Sequence, residues 1–134
     1  MNKLAVASVI LLLSGCQAMS NEAQLDTFII GDWQIESVMG VSVDDSSANL
    51  NFTEEDKVSG NNSCNNFFGQ YSVEGDKVKL MPKGSTMMMC PNSIMRQADL
   101  IDKTMPLVVT AEMKEEQLEF FGSAGNSLFV LKKL

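Results

Sequence analysis

Apolar positions along this chain follow three patterns. Residues Leu4–Leu13 form an unbroken apolar run. From Phe28-Ile29-Ile30 onward, short stretches alternate apolar with polar side chains between turn residues, a period of two that predicts antiparallel strands. Between these strands lies one segment of a different period: Ile94, Ala98, Ile101 and Met105 recur at i, i+4, i+7 and i+11, which predicts a helix.

Trp33, Ile35 and Val38 mark the first strand, and Leu50 and Phe52 alternate with asparagines in the second. Val58 precedes Ser59-Gly60-Asn61-Asn62, which reads as a turn cluster. Phe68, Tyr71 and Val73 lead into a hairpin turn at Glu74-Gly75-Asp76, and Val78 and Leu80 return from it. Pro91 suits the start of the helix because the first turn needs no donor there, Asn92 can cap its free amides, and Pro106 ends it. Strands resume over Leu107–Met113, Gln117–Phe121 and Ser127–Leu131, separated by Lys114-Glu115-Glu116 and Gly122–Asn126. The expected fold is mainly β (α+β): a small barrel-like antiparallel β-meander with one helix covering an open face or end.

The amino-terminal run has another use. It follows Lys3, is ten residues long and closes on Leu13-Ser14-Gly15-Cys16. A basic start, a short apolar stretch and small residues before a cysteine describe a bacterial secretory signal of the lipoprotein type, cleaved before Cys16. The Cys16 thiolate would then carry the diacylglyceryl thioether, and the new amino terminus a third acyl chain. Ten residues of helix span about 15 Å, half a bilayer core, so a permanent membrane span is not expected. Residues 1–15 are thus read as signal, 16–27 as a lipidated tether with few apolar groups, and 28–134 as the folded domain. The mature chain has 119 residues, enough for one core. Gln17 is uncharged, where aspartate would retain a lipoprotein in the inner membrane of enterobacteria. The anchor is therefore expected in the outer membrane, with the domain facing the periplasm.

Charge and composition narrow the chemistry. Losing Lys3 with the signal moves the formal charge from −7 to −8, and the lysines form no cluster longer than Lys132-Lys133. Such a surface repels phosphate backbones, so no nucleic-acid partner is expected. The chain contains no histidine. Ser-His-Asp and Cys-His catalysis and imidazole-dependent zinc sites are excluded, and no phosphate-binding loop motif is present. Asp44-Asp45, Glu54-Glu55-Asp56 and Glu115-Glu116 sit among turn or polar residues and read as solvated loops rather than acid–base pairs. No enzyme, cofactor or metal site is expected.

With Cys16 assigned to lipid, Cys64 and Cys90 remain as a pair, and a structural disulfide, natural in an oxidising compartment, is expected; the alternative is two buried thiols. Met87-Met88-Met89, with Met81 nearby, raises a soft-metal reading, since thioethers favour Cu(I). Consecutive strand residues point to alternate faces, so the three cannot converge on one ion, and adaptable core filler is the expectation. Asn51-Phe52-Thr53 and Asn61-Asn62-Ser63 match a glycosylation pattern that a bacterial lipoprotein has no occasion to use.

The residues Ser59-Gly60…Cys64-Asn65-x-x-x-Gly69-x-Tyr71, followed by Thr86-x-Met88-x-Cys90-Pro91, resemble the META domain of HslJ-like bacterial lipoproteins, with Trp33 opening the first strand. The resemblance runs from Trp33 to Leu134. Ser63 stands where glycine usually precedes the cysteine, Met89 where alanine is common, and Gln97 where many members carry a helix glutamate. The resemblance implies a small barrel-like fold and a non-enzymatic envelope protein associated with heat shock, motility or secretion, and novobiocin tolerance. Gly60, Asn65, Gly69, Tyr71, Thr86 and Met88 are then mainly structural: asparagine bonds nearby backbone in turns, and Gly69 permits a bulge or close approach.

The leading functional expectation is a lipid-anchored protein serving envelope integrity under stress, through outer-membrane lipid at Cys16 and an unidentified envelope protein partner. One alternative is an inhibitor of a hydrolase such as lysozyme or a protease, where an acidic face complements a basic enzyme. Another is a carrier of small hydrophobic ligands in a barrel mouth lined by Phe67, Phe68, Tyr71 and the methionines.

Overall fold

A computed structural model describes residues 22–43 and 47–134. The apolar run, Cys16, Gln17 and Asp44-Asp45 lie outside the described residues. In chain order the elements are α1 (Glu22–Phe28), β1 (Gly31–Val38), β2 (Val41–Ser42), β3 (Asn49–Phe52), β4 (Lys57–Asn61), β5 (Asn66–Glu74) and β6 (Lys77–Ser85). They are followed by α2 (Asn92–Thr104), a 3-10 turn (Met105–Leu107), β7 (Thr110–Lys114), β8 (Gln117–Phe121) and β9 (Ser127–Lys133).

All nine strands belong to one antiparallel meander, and β1 pairs with β9 from Trp33↔Lys133 to Val38↔Phe129 as well as with β3. The sheet therefore closes into a barrel, which satisfies the edge groups that an open sheet would expose. Inward-facing side chains fill the interior. Trp33, Leu50, Phe120, Phe129, Leu118 and Leu131 are inaccessible to solvent, and Phe52 is nearly so. Phe52, Tyr71, Phe120 and Phe129 meet edge to face at centroid distances of 4.9–6.4 Å, the geometry that ring quadrupoles favour.

The ring is weakest between β6 and β7, which share the single register pair Lys77↔Thr110. Hydrogen bonds from Val78 N–H to Val109 O and from Ala111 N–H to Asp76 O extend this seam. The rest of β6 runs on beside β5 alone, and α2 with the 3-10 turn packs where the seam opens, burying Ala98, Ile101, Thr104 and Met105. This is the open side that the single helix was expected to cover.

Four local expectations are corrected. Residues 59–61 continue β4 instead of turning, because β3 and β5 supply hydrogen-bond ladders on both sides of them. Asn92 does not cap α2; Pro91 occupies the cap position and no side chain bonds the free amides. The strand expected from Leu107 begins at Thr110, since Met105–Leu107 form the 3-10 turn. The tether expected to reach residue 27 is helical from Glu22. Leu25 and Ile29 are buried at the end of the barrel marked by the Thr53–Asp56 turn, and Trp33 Nε1–H donates to Ile29 O at 2.7 Å. A single buried leucine in a polar stretch gives no period, so the sequence conceals this helix.

Candidate functional site at the disulfide end of the barrel

The β4–β5 connection, Asn62-Ser63-Cys64-Asn65, lies at the opposite end of β4 from the Thr53–Asp56 turn and α1. It is buried although it is polar. The cost of burying such groups is met by bonding every one of them. Asn62 Oδ1 accepts from the N–H groups of Cys64 (3.0 Å) and Asn65 (2.7 Å), while Asn62 Nδ2 donates to both carboxylate oxygens of Asp102 on α2, each at 2.9 Å. Ser63 adopts φ 91°, a conformation that L residues rarely hold, and Asn61 Oδ1 accepts its N–H at 2.8 Å.

Asn65 reaches the other way. Its Oδ1 accepts from Thr86 Oγ1 (2.9 Å) and from Met88 N–H (2.6 Å), and its Nδ2 donates to Met88 O at 3.4 Å. One side-chain amide thus stands in for a neighbouring strand and holds residues 86–88 as a strap beyond β6. The strap ends at Cys90, joined to Cys64 with Cα atoms 6.0 Å apart. The Cys64–Cys90 pair is therefore a disulfide. By the chain-entropy model, its loop of 26 residues is worth ~3.5 kcal/mol.

Two of the three departures from the resembled pattern meet each other: Gln97 Nε2 on α2 donates to Ser63 Oγ at 2.7 Å. The disulfide, the Asn62–Asp102 contact and the Ser63–Gln97 bond together clamp α2 and its leading strap to the barrel. Sequence reasoning missed Asn62 and Asp102. Asn62 was legible only as one of several turn formers, and Asp102 lies on the polar face of its helix without a motif.

Gly60 and Gly69 pack where strands approach closely. A Cβ on Gly60 would sit 2.0 Å from Asn49 O, and one on Gly69 2.3 Å from Met81 O, beside the bulge between Phe68 and Gly69. Tyr71 points inward and its hydroxyl donates to Thr53 O at 2.7 Å. Burial, then the charges of Asp56 and Asp26, hold its phenol above the usual value of 10.0. The folded state therefore disfavours the phenolate. The resulting stabilisation is complete below about pH 10, the unfolded value, and is lost as pH rises through the folded value. We expect wild-type stability to fall steeply in that alkaline range and Tyr71→Phe to flatten the fall, as read from melting temperature against pH.

The expected core role of the methionines is overturned. Met87 and Met89 are 93% and 88% exposed, and Met88 is half exposed, because Asn65 and the disulfide hold the strap outside the barrel. The expected ligand mouth is corrected as well. Phe67 and Tyr71 face the packed interior, whereas the strict alternation of β5 turns Phe68 outward over Gly84. A shallow cleft of about 210 Å³ between Phe67, Pro82–Ser85, Asp102 and Met105 opens beside the clamp. No cluster of three or more His, Cys, Asp or Glu side chains suited to a metal occurs among the described residues. No helix among them is long and apolar enough to cross a membrane.

Replacing both Cys64 and Cys90 by alanine should lower stability by about 2–4 kcal/mol while leaving the barrel folded, since the core lies elsewhere. Thermal unfolding measures this, and thiol titration of denatured wild type should find these two positions unreactive until reductant is added.

A closed antiparallel barrel with a filled interior, one end plugged by α1 and the other clamped by a disulfide, defines a small α+β barrel domain. The chain belongs to the META domain family, which matches residues 26–133. Its fold is similar to an NMR structure of a protein from Burkholderia xenovorans, at 16% identity over 99% of this chain and 95% of that one, with a TM-score of 0.66. A second NMR structure shares 23% identity over 80% and 92% of the two chains, with a TM-score of 0.58. A crystal structure of a DUF4847 family protein from Bacteroides vulgatus shares 8% identity over 82% and 96%, with a TM-score of 0.63. No curated protein matches the chain.

Proposed function

We propose that this chain is a lipid-anchored, non-catalytic protein of the bacterial envelope that works by surface contact at the disulfide end of its barrel. The observation that carries this reading is the strap 86–90: a rigidly held segment that presents Met87, Met88 and Met89 to solvent at the end remote from α1. Exposed apolar side chains on a fixed backbone suit docking, because little ordering entropy remains to be lost on binding. Phe68, 61% exposed over Gly84 on the adjoining strands, extends the apolar character of that end.

Acylation at Cys16 would place the chain's attachment on the α1 side and turn the strap away from the lipid. The uncharged Gln17 favours the outer membrane as the site of that anchor. Buried side chains fill the barrel interior, and the histidine-free composition favours a binding role over catalysis. The family resemblance supports a role in envelope stress, through heat and novobiocin tolerance.

A photoreactive residue introduced at Phe68 or Met89 in intact cells, with one at Lys77 as control, tests the reading. A discrete crosslinked envelope protein from the first two positions only is expected. Equal labelling at all three, or none, rejects surface docking at this end.

A further inference from the structure

The strap that carries the exposed methionines is fastened at every second residue. Thr86 N–H donates to Asn66 O at 2.9 Å, Met88 N–H donates to Asn65 Oδ1 at 2.6 Å, and Cys90 is held by the disulfide. Met87 and Met89 occupy the free alternate positions and are nearly fully exposed at 93% and 88%. Their thioethers cannot withdraw into the core, because the backbone between them is tied down on both sides. By contrast Met105 is 2% exposed inside the core, and Met88 and Met39 are 51% and 46% exposed.

We propose that Met87 and Met89 form a paired modification site, oxidised before the other described methionines by two-electron oxidants of the hypohalous acid class and restored by sulfoxide reduction. In the oxidation the thioether sulfur donates an electron pair to the electrophilic chlorine of hypochlorous acid, and the Cl–O bond breaks with hydroxide leaving. Water then adds its oxygen to the chlorosulfonium sulfur, chloride leaves, and of the two protons released one neutralises the hydroxide. The net reaction is thioether plus hypochlorous acid to sulfoxide plus chloride and one proton; sulfur loses two electrons and chlorine gains them. Reduction by a thiol-dependent sulfoxide reductase returns two electrons and two protons and releases the oxygen as water.

The order of reaction follows from access. A thioether at the surface meets the oxidant in the native state, whereas Met105 reacts only after the barrel opens. The consequence follows from what the fold leaves unused. Neither Met87 nor Met89 supports the core, so the oxidised protein keeps its fold, while the outer face of the strap changes from apolar to polar. The disulfide end thus takes up oxidant repeatedly without loss of the domain. This inference does not depend on the docking reading; if both hold, oxidation switches off the apolar contact.

The test treats the full-length, disulfide-intact protein with sub-stoichiometric hypochlorous acid and maps the sulfoxides by peptide mass spectrometry. Sulfoxide at Met87 and Met89 should exceed that at Met105 by at least ~10-fold. The melting temperature should stay within about 2 °C, because no core contact changes. Retention on a hydrophobic-interaction column should fall, and a methionine sulfoxide reductase should restore it. The double variant M87L/M89L, which keeps an exposed apolar strap, should lose the fast phase of oxidant consumption and the retention shift. Even oxidation across the chain, oxidation in step with unfolding, or an undiminished fast phase in M87L/M89L overturns the proposal.

Discussion

Gly60→Ala and Gly69→Ala should each cost more than about 4 kcal/mol and leave little folded protein at 37 °C. The reason is what the added methyl group meets. At Gly60 it would lie 2.0 Å from Asn49 O and 2.9 Å from Asn49 C; at Gly69 it would lie 2.3 Å from Met81 O and 2.8 Å from Pro82 Cα. These are backbone atoms of paired strands, so relief requires β3 to part from β4, or β5 from β6, with loss of ladder bonds. Gly84→Ala is the control. There the nearest atoms are Cζ and Cε1 of Phe68 at 2.8 and 2.9 Å, the far end of an exposed ring that is free to swing aside. Its cost should stay below about 1 kcal/mol. Urea midpoints of the three variants check the ordering, and equal losses would mean that close strand approach is not the reason for glycine here.

Asn62→Ala should be the most damaging change in the polar clamp, at about 3 kcal/mol or more. It strips the acceptor from the buried N–H groups of Cys64 and Asn65, each of which costs about 1–3 kcal/mol when left unpaired, and it removes the Asn62 Nδ2 donor from Asp102, whose exposed carboxylate turns to water instead. Asn62→Asp separates these two halves. It keeps the acceptor but sets a buried carboxylate against that of Asp102, and burial and the like-charge contact raise the proton affinity of the introduced aspartate. A raised carboxyl value means protonation favours the folded state. The deficit relative to wild type should therefore be large at neutral pH and shrink as pH falls through about 5 to 4. Denaturation of wild type, Asn62→Ala and Asn62→Asp at pH 4.5 and pH 7 reads this directly. A deficit in Asn62→Asp that ignores pH would show that Asp102 does not feel residue 62.

Alternation and helical period were enough to place most of the fold. Trp33, Ile35, Leu50, Phe52, Val78, Leu80, Leu118 and Phe120 all occupy the barrel interior as the period of two requires, and Ala98, Ile101 and Met105 form the buried stripe that packs on it. Such positions are legible because water acts on each side chain according to its own hydrophobicity, whatever its distant neighbours. The pairing of Cys64 with Cys90 was legible by arithmetic, as the natural use of the two cysteines left after Cys16 is assigned to lipid.

Tertiary structure alone decided the rest. Ser59-Gly60-Asn61 has the composition of a turn, yet is strand, because flanking strands offer ladders that outweigh local preference. Glu22–Phe28 shows no apolar period, yet is helix, because the end of the barrel accepts Leu25. Met87–Met89 have the composition of core, yet face solvent, because Asn65 and the disulfide fix the backbone beyond the barrel wall. Asn62 and Asp102 are 40 residues apart and meet only because α2 crosses the β4–β5 connection. Local pattern in the sequence was sufficient wherever alternation or helical period marks one buried face. Which polar groups would satisfy one another, and which apolar ones would be left outside, depended on long-range contacts that no local pattern encodes.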